Sequence, residues 1–577
     1  MSVIFRLPPV LLVFLLGFFL GILRFLLLLP LRRRVPTHAV LQLEGPLLWQ
    51  APPRAAWMGR LRRHPPSVEG TGRILAELAK EPGLRGVVVM PQGLKGSLVR
   101  LEALAEELGR FRRSGKEVVL YLREASAREL VLAAVADRVF LAPGGTVTLV
   151  GSAAALTGLR GLLDRLGISP EFFRIGDHKT APELFTNEHP SEIHRQLVER
   201  ILDARYRRVL DVVARRKGGD LGWAEKVVDG GPYTSGRALE AGLVDELVYP
   251  IDLAAHLAGG QGKVEPPPLP PAEAVLRTRK WRFSAPPLVP KARIAVVPIS
   301  GIIRTGKSVL LPGGPRMAGE ETIVAQVEAA RRDPRVRGVV VVSDSRGGMA
   351  SASDRIWHAV WRCAQEKPTA AYVETEAASG GYLAIAGAGR IFAAPGSLVG
   401  SIGAFAGRFA VGEFLARLGV HQELLRRGKN AGLLSMLEPL REEEQEVMRA
   451  EVEQVYEEFV DRVARGRSRP PGEIRAYGEG RVFLAEEALP VLVDEIGDFR
   501  AAVRWVVEQA KLPAGSWEVQ VVRTRTAGYA GLPALLGELA STPRTYWLWA
   551  PGLPPTEPFW DAVVGIRGYT DGTWERW

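Results

Sequence analysis

The sequence predicts an α/β protein made of two copies of one domain, each built from parallel βα units. Three observations carry this. Blocks of sequence recur at a constant offset of 252 residues: Leu84–Val89 returns as Val336–Val341, and Ala136–Pro143 returns as Ala388–Pro395. Within a copy, short β-branched runs alternate with amphipathic stretches. Gly338–Val342 reads as a buried strand, Asp354–Gln365 as a helix and Thr369–Val373 as the next strand. Finally, residues 259–290 separate the copies with a Gly- and Pro-rich segment that includes Pro266, Pro267 and Pro268, a stiff exposed linker.

Taken in order, the 577 residues divide into an N-terminal anchor (1–36), a first repeat (37–258), the linker (259–290), a second repeat (291–513) and an extension (514–577). Residues 7–30 are apolar apart from Arg24. At about 1.5 Å per residue, such a run is long enough to cross a hydrocarbon core of roughly 30 Å. A cleaved signal peptide is the alternative, but no small-x-small site follows the run. Arg32, Arg33 and Arg34 lie on its C-terminal side. By the positive-inside rule alone they would keep the bulk of the chain in the cytoplasm.

Further matches tie the repeats together. Leu149–Ser152 corresponds to Leu398–Ser401 after a small slip, and Val244–Glu246 corresponds to Val493–Glu495. Residues 188–217 and 437–466 are matching charged, helix-forming stretches, expected outside the sheet core. The extension carries Trp517, Trp547, Trp549, Trp560, Trp574 and Trp577, read either as a packed accessory segment or as a membrane-interface or peptide-binding surface.

Composition narrows the function classes. The formal net charge is +11, and five arginines of the first 34 residues account for much of it. No basic helix with interleaved aromatics remains to argue for nucleic acid. Cys363 is the single cysteine, so an intrachain disulfide is excluded; its helical surroundings predict a buried, inert thiol. No cluster of His and carboxylates has metal-ligand spacing, and no phosphate-type glycine loop opens a helix, so neither a metal nor a cofactor is expected.

The stretch Glu376-Ala377-Ala378-Ser379-Gly380-Gly381-Tyr382 is the chemical centre of the sequence. A serine among small residues lets a peptide backbone approach, and Gly380 can offer its N–H to a developing oxyanion. No His–Asp pair with suitable surroundings accompanies it. The repeat serves as an internal control. Ser379, Gly380 and Gly381 pair with Ala127, Arg128 and Glu129, so the first copy lacks the nucleophile. Asp344-Ser345-Arg346-Gly347-Gly348 pairs with Gln92-Gly93-Leu94-Lys95-Gly96, so the double glycine suited to a second oxyanion donor is also confined to the second copy. The reverse holds upstream: Lys179, in Gly176-Asp177-His178-Lys179-Thr180-Ala181, pairs with Ala431. Complementary loss of this kind is what a split Ser–Lys pair would leave. A buried lysine whose pKa falls from about 10.4 toward 7–8 can take a serine's proton. The competing reading of Lys179 is an ordinary surface lysine; that of His178 is a solvated or packing side chain.

At these residues the chain resembles the long, duplicated signal peptide peptidase A family, bacterial membrane-anchored Ser–Lys proteases of the ClpP/crotonase fold. Ala377–Tyr382 is similar to the family's nucleophile motif, Gly176–Ala181 to its general-base motif, and Gly400-Ser401-Ile402-Gly403 to the motif whose serine orients the lysine. The resemblance implies that Ser379 is the nucleophile, Lys179 the general base and Ser401 the residue that holds it. It further implies that Gly380 with Gly347 or Gly348 supplies the oxyanion donors, the preferred pair being Gly347 and Gly380. Arg346 stands where the family has proline, which predicts a looser turn. The resemblance also implies a homotetramer, peptide substrates such as signal-peptide remnants, and catalytic domains facing away from the cytoplasm, against the sense of Arg32–Arg34. Two rival readings are a crotonase-like acyl-CoA enzyme, disfavoured by the anchor, the duplication and Lys179, and a non-catalytic membrane scaffold, disfavoured by the intact Ser379 motif.

Overall fold

The computed structural model describes residues 37–50, 65–258, 269–277, 291–310 and 316–522. The expected anchor, most of the linker and the extension beyond Val522 lie outside these residues. Among the described residues no helix is long and apolar enough to cross a membrane.

The chain folds into two compact units. The first contains the described residues up to Gly151 together with the stretch that starts at Val209. Its sheet sets β1 (His38–Pro46), β2 (Gly86–Lys95), β3 (Glu117–Leu122) and β4 (Arg138–Leu141) side by side, all parallel, and Glu246–Leu247 closes the far edge. Val87, Val88, Val89, Val118 and Val119 are fully buried. Helices such as Val68–Ala79 and Leu98–Arg112 connect the strands. Burial on both faces explains why these strands read as unbroken apolar runs instead of alternating ones.

The second unit takes Ser152–Arg208 from the first repeat and combines it with the second repeat. The borrowed segment contains β5 (Ser169–Arg174). The main sheet consists of β6 (Ala292–Ser300), β7 (Val336–Ser345), β8 (Thr369–Ala378), β9 (Arg390–Ala393), β10 (Leu398–Gly400), β12 (Val482–Leu484), β13 (Glu495–Ile496) and β14 (Trp517–Val521), with β11 (Phe405–Ala410) lying outside it. Its order is β12-β10-β8-β7-β6-β14, with β9 and β13 branching from β8. Every pairing is parallel except that of β10 with β12. Thus the extension begins with an edge strand that pairs with β6 through Trp517–Val521.

Strand β8 runs beyond the stretch its sequence suggests. Its first half pairs with β9 and its second half with β10, so the sheet forks along one strand. The register against β7 also breaks: Ser343 faces Val373, but Ser345 faces Ala377. Glu374, Thr375 and Glu376 therefore bulge opposite Asp344 alone, as β-bulges do near sites that must re-aim side chains. The polar Glu-Thr-Glu step hides the strand's continuation from a reading based on apolar runs.

Both charged stretches are long helices, Glu192–Ala214 and Glu442–Arg467. The second buries Val452, Tyr456, Phe459, Val460 and Val463 against the sheet's core. Its remaining faces account for the charge. Cys363 is a buried free thiol on helix Ala350–Glu366, and burial raises its pKa.

Candidate active site

Ser379 joins the end of β8 to helix Gly380–Ile385. Its backbone adopts φ +52° and ψ −125°, outside the regions a serine populates freely. The surroundings hold it there. Its N–H donates to the Gly400 carbonyl at 2.8 Å, and its own carbonyl accepts from Tyr382 and Leu383, both at 3.0 Å. The first repeat uses the same junction differently. There Ser126 caps helix Ala127–Ala133 through a reciprocal bond with Glu129. In the second repeat the serine is shifted by one residue, and its side chain makes no cap bond.

Adjacent strand ends bring the other two side chains to it. Strand β10 pairs with the last residues of β8, so Ser401 emerges next to Ser379; it too has φ +52°. Four residues on, the chain enters β11, which pairs antiparallel with β5 from Ala410↔Ser169 to Phe405↔Arg174. Ile175 N–H continues the ladder by donating to Ala404 at 3.0 Å. Beyond it, a turn closed by Lys179 N–H to the Gly176 carbonyl (3.2 Å) aims Lys179 back at the serines. Gly480 packs against this turn: a Cβ there would lie 2.6 Å from the Lys179 nitrogen.

The Nζ of Lys179 lies 2.8 Å from Ser379 Oγ, 3.0 Å from Ser401 Oγ and 3.0 Å from the Ser401 carbonyl. Relative exposures are 4% for Lys179, 7% for Ser379 and 9% for Ser401. Burial lowers the Lys179 pKa to about 7. The three contacts suit a neutral amine. Two N–H groups donate to the two Ser401 oxygens, and the lone pair accepts the Ser379 hydroxyl proton. Such an arrangement can activate a hydroxyl near neutral pH without an imidazole.

Gly347 and Gly348 form the turn after β7, with φ of +105° and +153°. A Cβ on Gly347 would lie 2.7 Å from the Gly380 nitrogen, so this approach admits only glycine. The two glycines differ in their N–H groups. Gly347 N–H donates to Ser345 Oγ at 3.2 Å. The Gly347 carbonyl and the Met349 N–H bond to Ile303. A parallel bridge of this kind leaves Gly348's own N–H pointing away from Ile303. Among the described residues no acceptor takes up the N–H of Gly348 or of Gly380.

Behind the lysine, Arg174 Nη1 donates to the Lys179 carbonyl and to Glu183, both at 3.2 Å. Burial raises the Glu183 pKa, but the imidazole of His194 3.7 Å away and hydrogen bonds from Ser191 and Arg174 outweigh it and bring it to about 2. The Nδ1 of His178, beside the lysine, is buried without a hydrogen-bond partner. The structure thus brings Ser379, Lys179, Ser401, Gly380, Gly347 and Gly348 together, with the N–H of Gly347, of the expected oxyanion pair Gly347 and Gly380, taken by Ser345. The supporting groups Arg174, Glu183, Gly480 and the Arg346–Glu376 ion pair were not anticipated. Glu376 and Arg346 lay inside the motifs already singled out, yet nothing one-dimensional pairs them.

Residues 110–263 and 362–513 each match the model of peptidase family S49. Among curated relatives, the chain is 27% identical over 468 residues to the chloroplastic serine protease SPPA of Arabidopsis thaliana, covering 80% of this chain and 68% of that one. It is 32% identical over 423 residues to Protease 4 of Salmonella typhi, covering 71% and 66% respectively. A solved mutant of ClpP1 from Listeria monocytogenes overlays on 36% of this chain and 94% of its own, at 14% identity and a TM-score of 0.23. On the two matched segments and the two curated proteases, the chain belongs to peptidase family S49 and is a serine protease with the family's domain in duplicate.

Proposed function

We propose that this chain is a membrane-anchored serine endopeptidase that cleaves signal-peptide remnants and other hydrophobic peptides with a Ser379–Lys179 dyad. The 2.8 Å contact between Lys179 Nζ and Ser379 Oγ, in a site that burial makes favourable to a neutral amine, carries the reading. Lys179 takes the hydroxyl proton as Ser379 Oγ attacks the scissile carbonyl. The tetrahedral oxyanion is held by the N–H groups of Gly380 and Gly348; Gly348 is preferred to Gly347, whose N–H is already engaged by Ser345. Lys179 then passes its proton to the departing amine, leaving the acyl group on Ser379. Water, activated by the neutral lysine, releases the second product and restores the serine. Ser401 supplies both acceptors that keep the amine oriented.

The anchor rests on the apolar run at residues 7–30, and the hydrophobic substrate class follows from a protease tethered at a bilayer. A homotetramer and an extracytoplasmic site come from the family resemblance. Labelling with a fluorophosphonate and cleavage of a hydrophobic peptide test the dyad. Ser379→Ala should lose both signals, and Lys179→Ala should lose activity in a folded protein. Labelling that survives Ser379→Ala would overturn the nucleophile. Protease accessibility in intact cells and spheroplasts tests the orientation.

A further inference from the structure

The Gly347–Gly348 turn carries two consecutive positive φ angles and no side chains of its own, so its conformation has to be imposed from outside. On one side Ile303 holds it through the bonds to the Gly347 carbonyl and the Met349 N–H. On the other side stands the bulge of β8. There, Arg346 Nε lies 2.7 Å from Glu376 Oε1, with the two side chains 33% and 19% exposed. One step earlier, Thr375 Oγ1 bonds Asp344 Oδ1. Ser345, between the two, donates to the Gly301 carbonyl at 2.6 Å. Glu376 is three residues from Ser379, and Arg346 directly precedes Gly347. The pair therefore links the strand that delivers the nucleophile to the turn that faces it.

We propose that Arg346 and Glu376 are positioning residues: their ion pair fixes the distance between the Gly348 and Gly380 N–H groups, and so the strength of the oxyanion site. With Ser345 facing Ala377, Glu376 lies one residue before that pair and Arg346 one residue after it, so the ion pair crosses the pairing diagonally and ties the bulge to the turn. A half-buried, charge-assisted bond is also less screened than a surface pair. The expectation of a loose turn at Arg346 is thereby replaced by a charge tie. The proposal rests on the Ser379 reading above.

The test compares Arg346→Gln, Glu376→Gln and the charge-swapped double variant Arg346→Glu/Glu376→Arg in the full-length enzyme. Each single variant is expected to lower kcat by about 10- to 100-fold, the scale of a displaced oxyanion donor, with KM changed by less than about threefold. Inhibition by a peptide boronate, which forms a tetrahedral serine adduct, should weaken by a similar factor. The double swap should recover at least about tenfold of the lost kcat. Thr375→Val, which breaks the neighbouring tie without altering charge, should give a smaller fall of the same kind and stands in if the charge variants do not fold. Unchanged kcat in the single variants, or a swap no better than either of them, overturns the proposal. So does a parallel rise in KM with a lowered unfolding temperature, the mark of a merely structural role. Fluorophosphonate labelling separates the two levels: no labelling of the wild type sinks the Ser379 reading and the clamp with it. Normal labelling with unchanged kcat sinks the clamp alone.

Discussion

Lys179 Nζ and Ser379 Oγ meet at 2.8 Å although 200 residues separate them in the chain, and among the described residues no carboxylate joins them. The lysine sits in a buried pocket that brings its pKa to about 7. As the base must be neutral, kcat/KM should rise about tenfold per pH unit below pH 7 and level off above it. A stopped assay across pH 5 to 10 measures this. A limb near pH 10, the range of an ordinary lysine, would refute the buried-base assignment.

Burying that lysine also destabilises the fold. Its pKa is about 7 folded against 10.5 unfolded, so between those values the unfolded chain binds more protons. Stability should rise as pH climbs from 7 toward 10, and the penalty is complete below 7. Lys179→Met should be inactive yet more stable by about 1–3 kcal/mol at pH 6, part of the gain being lost to the unpaired serines. Urea titrations at pH 6 and pH 10 should show the smaller advantage at pH 10.

Ser401→Ala removes one of the two acceptors that orient the amine and leaves the carbonyl in place. The expected result is a fall in kcat of about 10- to 100-fold with little change in KM. A steady-state comparison with the wild type decides it; equal kcat would remove Ser401 from the site.

Gly480 has φ +77°, and a Cβ there would press on the backbone of Lys179. Gly480→Ala should therefore displace the base and cost at least about 100-fold in kcat. Far-UV circular dichroism should still report a folded chain. A fully active Gly480→Ala enzyme would show that the turn can yield.

Glu183 gives a second pH signature. Its folded pKa of about 2 lies below its ordinary 4.5, so its contribution is complete above pH 4.5 and is lost as pH falls from there toward 2. Glu183→Gln should destabilise the protein by about 3 kcal/mol at pH 7 and by much less at pH 3. Thermal unfolding at the two pH values checks the sign.

Much of this was legible without coordinates. Val339–Val342 announce a buried strand, because burial on both faces removes the polar alternation. The serine motif and the complementary absence of Lys179 in the second repeat point to both partners of the proposed dyad, because each copy lacks what the other carries. Less could be read at β8, where Glu374-Thr375-Glu376 looks like the end of a strand and is a bulge within one.

By itself, the sequence determined the duplication and the parallel α/β class, since repeats and periodicity are properties of residue order; it singled out Ser379 and Lys179 as candidates, and the family resemblance added Ser401. Only the tertiary structure decided that Ser152–Arg208 packs with the second repeat, that Gly347's N–H is taken by Ser345, and that Arg346 reaches Glu376. Those facts depend on strand register and on which face of a turn an N–H points to.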